Sequence, residues 1–187
     1  MEPRQKSEPV MHTDVAAGPL LEVSNLYAGY GDTEVGAKYR FIEESEGEWW
    51  PQVGVFPLVE AATGDASRGL GNGHTRVFLP LWLQKDFDPW LTYGGGGYWI
   101  NPGAGNKDFW FFGWLLQRKV TDELSLGGEI FHQTADTVGG KDSTGFNLGG
   151  IYDFNENFHL LFSAGSGLQN AASTNQFSYY LAIQWTF

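Results

Sequence analysis

Residues 177–187, FSYYLAIQWTF, decide the fold. Every odd position from Phe177 to Phe187 is apolar or aromatic, and the even positions between them are mostly small or polar. Strict alternation is typical of a β-strand with two different faces. In the apolar row, aromatic residues lie at both ends and Leu181 and Ile183 lie in the middle. This order predicts a lipid-facing stripe between two aromatic girdles.

The length of this stretch also fits a membrane strand. At about 3.3 Å per residue and a tilt of about 45°, it covers about 25 Å, the height of the apolar band of an outer-membrane barrel. The alternative is an edge strand of a soluble sandwich or lipocalin-like barrel, in which the apolar row would face inward. One strand alone does not separate the two.

Composition narrows the classes of protein. A chain of 187 residues is usually one domain. Its longest purely apolar run, residues 77–83, is far shorter than the roughly 20 residues of a transmembrane helix, whereas a barrel faces lipid with every second residue. The net charge of −11 argues against a nucleic-acid partner. The absence of cysteine excludes disulfides, thiolate metal sites and a cysteine nucleophile.

Alternation with a period of two recurs along the chain in about nine segments, and a weaker tenth one covers residues 20–30. The connections alternate between short and long, so all the long Gly/Ser/Asn-rich ones fall at one end of the strands. Outer-membrane barrels show this asymmetry. The sequence therefore predicts an all-β fold, an antiparallel up-and-down transmembrane β-barrel of about ten strands. The predicted strands are 33–41, 50–60, 75–84, 90–100, 109–119, 124–130, 146–154, 158–165 and 177–187.

The N-terminal part differs from the rest. Residues 1–18 are expected to form a polar tail, and residues 19–187 the barrel domain. The tail has no apolar segment of the kind found in a secretory signal peptide. A bacterial outer-membrane location therefore implies a signal that is not present in this chain. If the N-terminus is truncated, the barrel would have about twelve strands.

Charged and aromatic side chains opposite the apolar rows are the predicted lining of a lumen, where charge must pair or meet water. These candidates are Lys38, Arg40, His74, Arg76, Trp82, Trp90, Tyr98, Glu129, His159 and Tyr180. The residues predicted to face lipid include Leu79, Leu81, Leu160, Leu181 and Ile183. Such a lumen suits small aromatic solutes, and it is equally compatible with a filled, purely structural barrel.

Catalytic and cofactor-binding patterns are absent from the sequence. There is no G-x-S-x-G, P-loop or H-E-x-x-H motif, and the four histidines are scattered. His159 and Ser163 share a face but lie too far apart along a strand for a nucleophile–base contact. The glycine run 94–97 has no helix after it, so a steric role is favoured over phosphate binding. We expect no enzyme, no metal and no cofactor.

Several strand patterns resemble the "MetA-pathway of phenol degradation" family of outer-membrane transporters. The similar stretches are 34–44 (EVGAKYRFIEE), 87–103 (FDPWLTYGGGGYWINPG), 109–117 (FWFFGWLLQ), 120–132 (VTDELSLGGEIFH) and 146–154 (FNLGGIYDF), within a resemblance over about 33–187. The resemblance implies an outer-membrane barrel that admits small hydrophobic, often aromatic, compounds. It also implies that Trp185 and Phe187 form a terminal signal for the barrel-assembly machinery, with outer-membrane lipid around the barrel.

Three function classes remain open from the sequence. They are a passive transporter for small hydrophobic or aromatic compounds, a structural envelope barrel without transport, and a soluble lipocalin-like ligand-binding barrel.

Overall fold

A computed structural model describes residues 29–45, 47 and 49–187. In this part of the chain, eleven strands form one antiparallel sheet, and two short 3-10 helices, Ala66–Arg68 and Ala171–Ser173, are the only helical segments. The predicted all-β antiparallel fold is confirmed. Neither helical segment is long and apolar enough to cross a membrane. The strands are β1 Thr33–Gly36, β2 Tyr39–Ile42, β3 Gln52–Val55, β4 Leu58–Ala61, β5 Arg76–Phe87, β6 Trp90–Ile100, β7 Phe109–Lys119, β8 Leu124–Gln133, β9 Ser143–Asp153, β10 Phe158–Gln169 and β11 Ser178–Trp185.

The eleven strands occupy nine places in the sheet, because β1 and β2 continue one another and so do β3 and β4. Strand β1 pairs with β4, β2 pairs with β3, and both β3 and β4 pair with β5. The two breaks face each other, and the Ala37 N–H donates to the Pro57 carbonyl across them at 3.1 Å. Ala37 lies directly opposite Pro57, and Pro57 has no N–H to donate back to the Ala37 carbonyl, which explains why the ladder is interrupted here. The nine places match the nine predicted segments.

The strands of the described residues form a meander with two open edges. From β5 to β11 each strand pairs with the next one along the chain, and the described strands do not close into a barrel. Apart from the nine-residue connection 43–51 between β2 and β3, which lies at the short-turn end, the long connections lie at one end of the strands and the short turns at the other, as predicted. The long ones are 62–75, 101–108, 134–142 and 170–177, and the short ones are 88–89, 120–123 and 154–157. The predicted tail and most of the weak segment 20–30 lie outside the described residues.

Strand pairing assigns every side chain to one of two faces, because directly opposed residues in an antiparallel pair point to the same side. What we call the apolar face carries Leu79, Phe112, Ile130, Leu148 and Leu181, all of them exposed. What we call the sheltered face carries Phe78, Phe111, Glu129, Asn147 and Tyr180, all of them at least half-buried.

Strand β7 shows the alternation most clearly, although its sequence is apolar on both sides. Phe109 is buried and Phe111 is half-buried, whereas Trp110 and Phe112 are exposed. The pairing of Phe112 with His132 and of Phe111 with Gln133 fixes this orientation. Neighbouring strands therefore orient β7 where its own sequence does not.

The sheet curves toward its sheltered face. Phe78 of β5 and Phe111 of β7 lie two strands apart, yet their ring centroids are 6.3 Å apart. The side chains of this face are also the more buried ones along the strands, as on the concave side of a curved sheet. Phe78 also stacks on Trp99 at 4.7 Å, and these rings form a small buried cluster with Phe109.

The glycine run of β6 is covered by aromatic rings on both faces. A Cβ atom at Gly94 would lie 2.3 Å from the Trp114 ring, and one at Gly96 would lie 2.3 Å from the Phe112 ring. Gly95 has a φ of 152° and a Cβ position 2.1 Å from the Leu81 carbonyl oxygen, so a side chain there is both strained and obstructed. The steric interpretation of residues 94–97 is confirmed.

We expect Gly95→Ala to lower the free energy of unfolding by about 2 kcal/mol or more, since backbone strain adds to a clash with backbone. Gly128→Ala is the matched control, because the close neighbour of its Cβ is the mobile end of the Leu148 side chain, at 2.9 Å. Urea unfolding of both variants in lipid or detergent measures the difference. Equal stability of the two would contradict this packing.

Candidate functional site

A row of seven residues crosses the sheltered face, one from each strand from β5 to β11. Its composition changes from polar–aromatic to apolar and then to polar along the sheet. The directly paired residues are, in order, Gln84, Tyr93, Leu115, Glu129, Asn147, Gly165 and Ser178. We call it the central row.

The polar half of the central row is a hydrogen-bonded chain. Asn147, which is only 2% exposed, donates from Nδ2 to Glu129 Oε1 at 2.7 Å. Its own Oδ1 accepts from Ser178 Oγ at 2.8 Å. Gly165 lies between Asn147 and Ser178, and a Cβ there would be 2.2 Å from Asn147 Oδ1. The glycine therefore permits the contact that fixes the Asn147 amide.

Aromatic rings flank this polar chain. Tyr93 of the central row stacks on Trp82, with ring centroids 5.3 Å apart and planes 18° apart. Phe131 lies on the same face as Glu129, two residues further along β8, and covers Gly145. The sheltered face thus combines flat apolar surfaces with a few fixed polar groups, the usual chemistry of a small-molecule site.

A buried ion pair marks the long-loop end of the same face. Arg76 Nε donates to Glu60 Oε2 at 2.9 Å, and Glu60 is only 6% exposed. The Arg76 guanidinium also lies 4.8 Å over the Trp99 ring. Asn72 Nδ2 donates to the other oxygen of Glu60. The Glu60 charge is therefore paired and fully hydrogen-bonded, as a buried charge must be.

Asp32 anchors the long connection 62–75 beside this ion pair. Its carboxylate accepts from Gly64 N at 2.9 Å and from Asn72 N at 2.6 Å. Leu70 of the same connection is buried. Sequence reasoning missed Asp32 and Asn72, since their contact joins residues 40 positions apart. The only local signal was an aspartate just before a strand, opposite a glycine-rich loop.

A second polar cluster lies at the short-turn end. Lys85 Nζ donates to the Glu44 carboxylate, and the Asp86 N–H donates to Glu44 Oε2 at 3.1 Å. The hydrogen bond from Lys85 holds the pKa of Glu44 below its usual value. These residues line a groove that Arg40 and Gln52 also line. Arg40 and Gln52 are hydrogen-bonded to each other at 2.8 Å.

The predicted lumen residues divide into four groups, of which the last, Trp90 and Tyr98, lies on the apolar face. Arg40, Arg76, Trp82, Glu129, His159 and Tyr180 all lie on the sheltered face. Lys38 lies in the break between β1 and β2 and is exposed. His74 lies in the connection before β5, with Nε2 2.9 Å from Asn101 Oδ1.

The prediction that Trp90 and Tyr98 share a face with Trp82 is wrong. Trp90 pairs with Phe87 across the two-residue turn, and Tyr98 pairs with Leu79, so both lie on the apolar face. A two-residue turn pairs odd positions of one strand with even positions of the next. The sequence interpretation kept even positions on one side through this turn, which exchanged the two faces of β6.

The histidines of the described residues do not group into a metal-binding set. His159 Nδ1 lies 2.5 Å from Asp153 Oδ1, so its partner is this carboxylate rather than Ser163. Among residues 29–45, 47 and 49–187, no three His, Asp or Glu side chains group in a way that could hold a metal ion.

Comparison of the chain with known protein families and with curated proteins found no match. The resemblance of residues 33–187 to the MetA-pathway family therefore stays a hypothesis.

Replacing Arg76 with Met should lower the free energy of unfolding by about 3–5 kcal/mol, because it leaves the Glu60 charge buried without its cation. Lys119→Met is the matched control, since Lys119 pairs with the exposed Asp122 and its loss should change the free energy of unfolding far less. Chemical unfolding measures both. An Arg76→Met variant as stable as Lys119→Met would show that the buried pair is not structurally important.

Proposed function

We propose that this chain is an outer-membrane β-barrel protein whose sheltered face lines a narrow path for small hydrophobic or aromatic molecules. The observation that carries the proposal is the distribution of polarity between the faces, which is the reverse of that in a water-soluble protein. Apolar side chains are exposed on one face, and polar side chains are buried on the other. Leu181 and Ile183 are 70% and 61% exposed, whereas Glu60 and Asn147 are buried. Water-soluble monomers rarely expose a continuous apolar face of this extent, and lipid is the surrounding that matches it.

Aromatic residues on the apolar face support a position in the bilayer. Rings near the short turns and the C-terminus would lie at one membrane–water interface, where aromatic side chains are favoured. The aliphatic side chains in the middle of the strands would then face the hydrocarbon. These rings are Phe87, Trp90, Tyr152, Phe158 and Trp185.

A membrane location also requires the sheet to close. The outer edge of β11 and the outer edge of β1 and β2 have no partner strand within the described sheet, and unpaired backbone groups cost several kcal/mol each in lipid. An antiparallel barrel needs an even number of strands, and the described sheet has nine places. We therefore infer that at least one further strand closes the barrel between β11 and β1, which gives the ten strands expected from the sequence.

The solute class follows from the size and lining of the interior. About ten strands enclose little space, since wide aqueous channels need sixteen or more. The stacked Trp82 and Tyr93 rings and the polar Glu129–Asn147 pair suit a small ring-bearing solute. A soluble lipocalin-like barrel would turn its apolar face inward, so the exposed apolar face argues against it. A purely structural barrel is the remaining alternative.

Leu181→Arg should destabilise the protein in lipid bilayers by about 2–4 kcal/mol, because it places a charge on the lipid-facing stripe. Gln184→Arg is the control on the same strand, since Gln184 pairs with His159 on the sheltered face. The free energy of unfolding in vesicles measures both. If arginine is tolerated equally at the two positions, the assignment of the apolar face to lipid fails.

Two adjacent residues of β7 provide the test of transport. Leu115 lies on the sheltered face and Leu116 on the apolar face, so Leu115→Trp should obstruct the path and Leu116→Trp should not. The measurement is the initial rate of toluene uptake by cells with a lipopolysaccharide-containing outer membrane. Wild type and Leu116→Trp should take up toluene faster than cells without the protein. Equal rates in all strains would contradict transport and leave the structural barrel.

A further inference from the structure

We propose that Glu129 determines the specificity of the path by accepting a hydrogen bond from the solute. The favoured solute would be a small aromatic molecule that carries a hydrogen-bond donor, an ammonium group above all, rather than a plain hydrocarbon. This inference rests on the proposed function and names the solute class of the same face.

The position of Glu129 is fixed by its neighbours. It lies in the middle of the central row, between Leu115 of β7 and Asn147 of β9. Asn147 is oriented from behind by Ser178, whose hydroxyl donates to its carbonyl oxygen. The Asn147 amide must therefore present its N–H to Glu129, and this holds one carboxylate oxygen in place.

The charge of Glu129 is not matched within the described part of the chain. Two other carboxylates of the sheltered face have cationic or ionisable partners, Glu60 with Arg76 and Asp153 with His159. Glu34 and Asp86 also lie on this face, but both are exposed to solvent. For Glu129, no lysine, arginine or histidine nitrogen of the described residues comes within ion-pair distance, and one amide donor contacts one of its oxygens. A partly buried carboxylate with one donor keeps acceptor capacity for a ligand.

Glycines and apolar side chains surround Glu129. In the next row toward the short turns, Gly127 pairs with Gly149, so two neighbouring strands present backbone without side chains on the sheltered face. On the other side of Glu129 lies the Phe131 ring, and Leu115 faces it from β7. A ring lying over the two glycines would have its donor substituent within reach of the carboxylate.

Three ligands with the same ring test the inference. Binding of benzylammonium, benzyl alcohol and toluene to the full chain in detergent micelles is measured by calorimetry. We expect affinity to fall in that order. Glu129→Gln should reduce benzylammonium affinity by about tenfold or more, the effect of a lost charge-assisted hydrogen bond, and leave toluene unchanged. Asp153→Asn, on the same face, is the control that should keep the order.

Two results would overturn the role of Glu129. One is wild-type protein that binds toluene as tightly as benzylammonium, a comparison that needs no variant. The other is a folded Glu129→Gln variant that keeps the full preference for benzylammonium. A donor preference without uptake by cells would contradict transport and leave the Glu129 site intact. Uptake of toluene by cells, without any preference for ligands that carry a donor, would support transport and contradict the role of Glu129.

Discussion

The antiparallel backbone ladder is the constraint on which the rest of the structure depends. Because opposed residues point to the same side, each pairing passes the inside–outside assignment on to the next strand. This series of assignments begins with Leu181 opposite Phe162 in the last hairpin and ends with Leu79 opposite Tyr98 in β5 and β6. A shift of one residue in any pairing would exchange the two faces of a strand. The separation of an apolar face from a sheltered one is therefore a property of the whole register.

Packing between strands takes the place of a large buried core. The buried aromatic cluster of Phe78, Trp99 and Phe109 occupies only one side of the sheltered face. Elsewhere, rings of one strand lie over glycines of the next, as Trp114 does over Gly94 on the apolar face and Phe131 over Gly145 on the sheltered face. These contacts depend on the absence of a side chain at the glycine. They stabilise a thin, two-faced sheet that an apolar surrounding would complete.

Period-two alternation was sufficient to predict the strands, their antiparallel order and the faces of β8 to β11, because each strand there is amphipathic. It failed where both faces of a strand are apolar, and where a turn moves the apolar face from odd-numbered to even-numbered positions. Strand β7 is apolar on both sides, and the two-residue turn before Trp90 reverses the parity of β6. The break between β1 and β2 arises from Pro57 on the neighbouring chain segment, which local sequence does not reveal. Glu129 was predictable as a charge opposite an apolar row, whereas the role of Asn147 depends on contacts with β8 and β11.

Accessibility along β11 tests most directly whether the apolar face contacts lipid. The chain contains no cysteine, so a single cysteine can be introduced at each position of Ser178–Trp185 and spin-labelled in lipid vesicles. Relaxation by oxygen, which concentrates in the bilayer, is compared with relaxation by a water-soluble nickel chelate. Labels at Tyr179, Leu181 and Ile183 should respond to oxygen and be protected from the chelate, and labels at the positions between them should not share this lipid signature. Odd-numbered positions that the chelate reaches freely, or no alternation at all, would contradict a lipid-facing sheet.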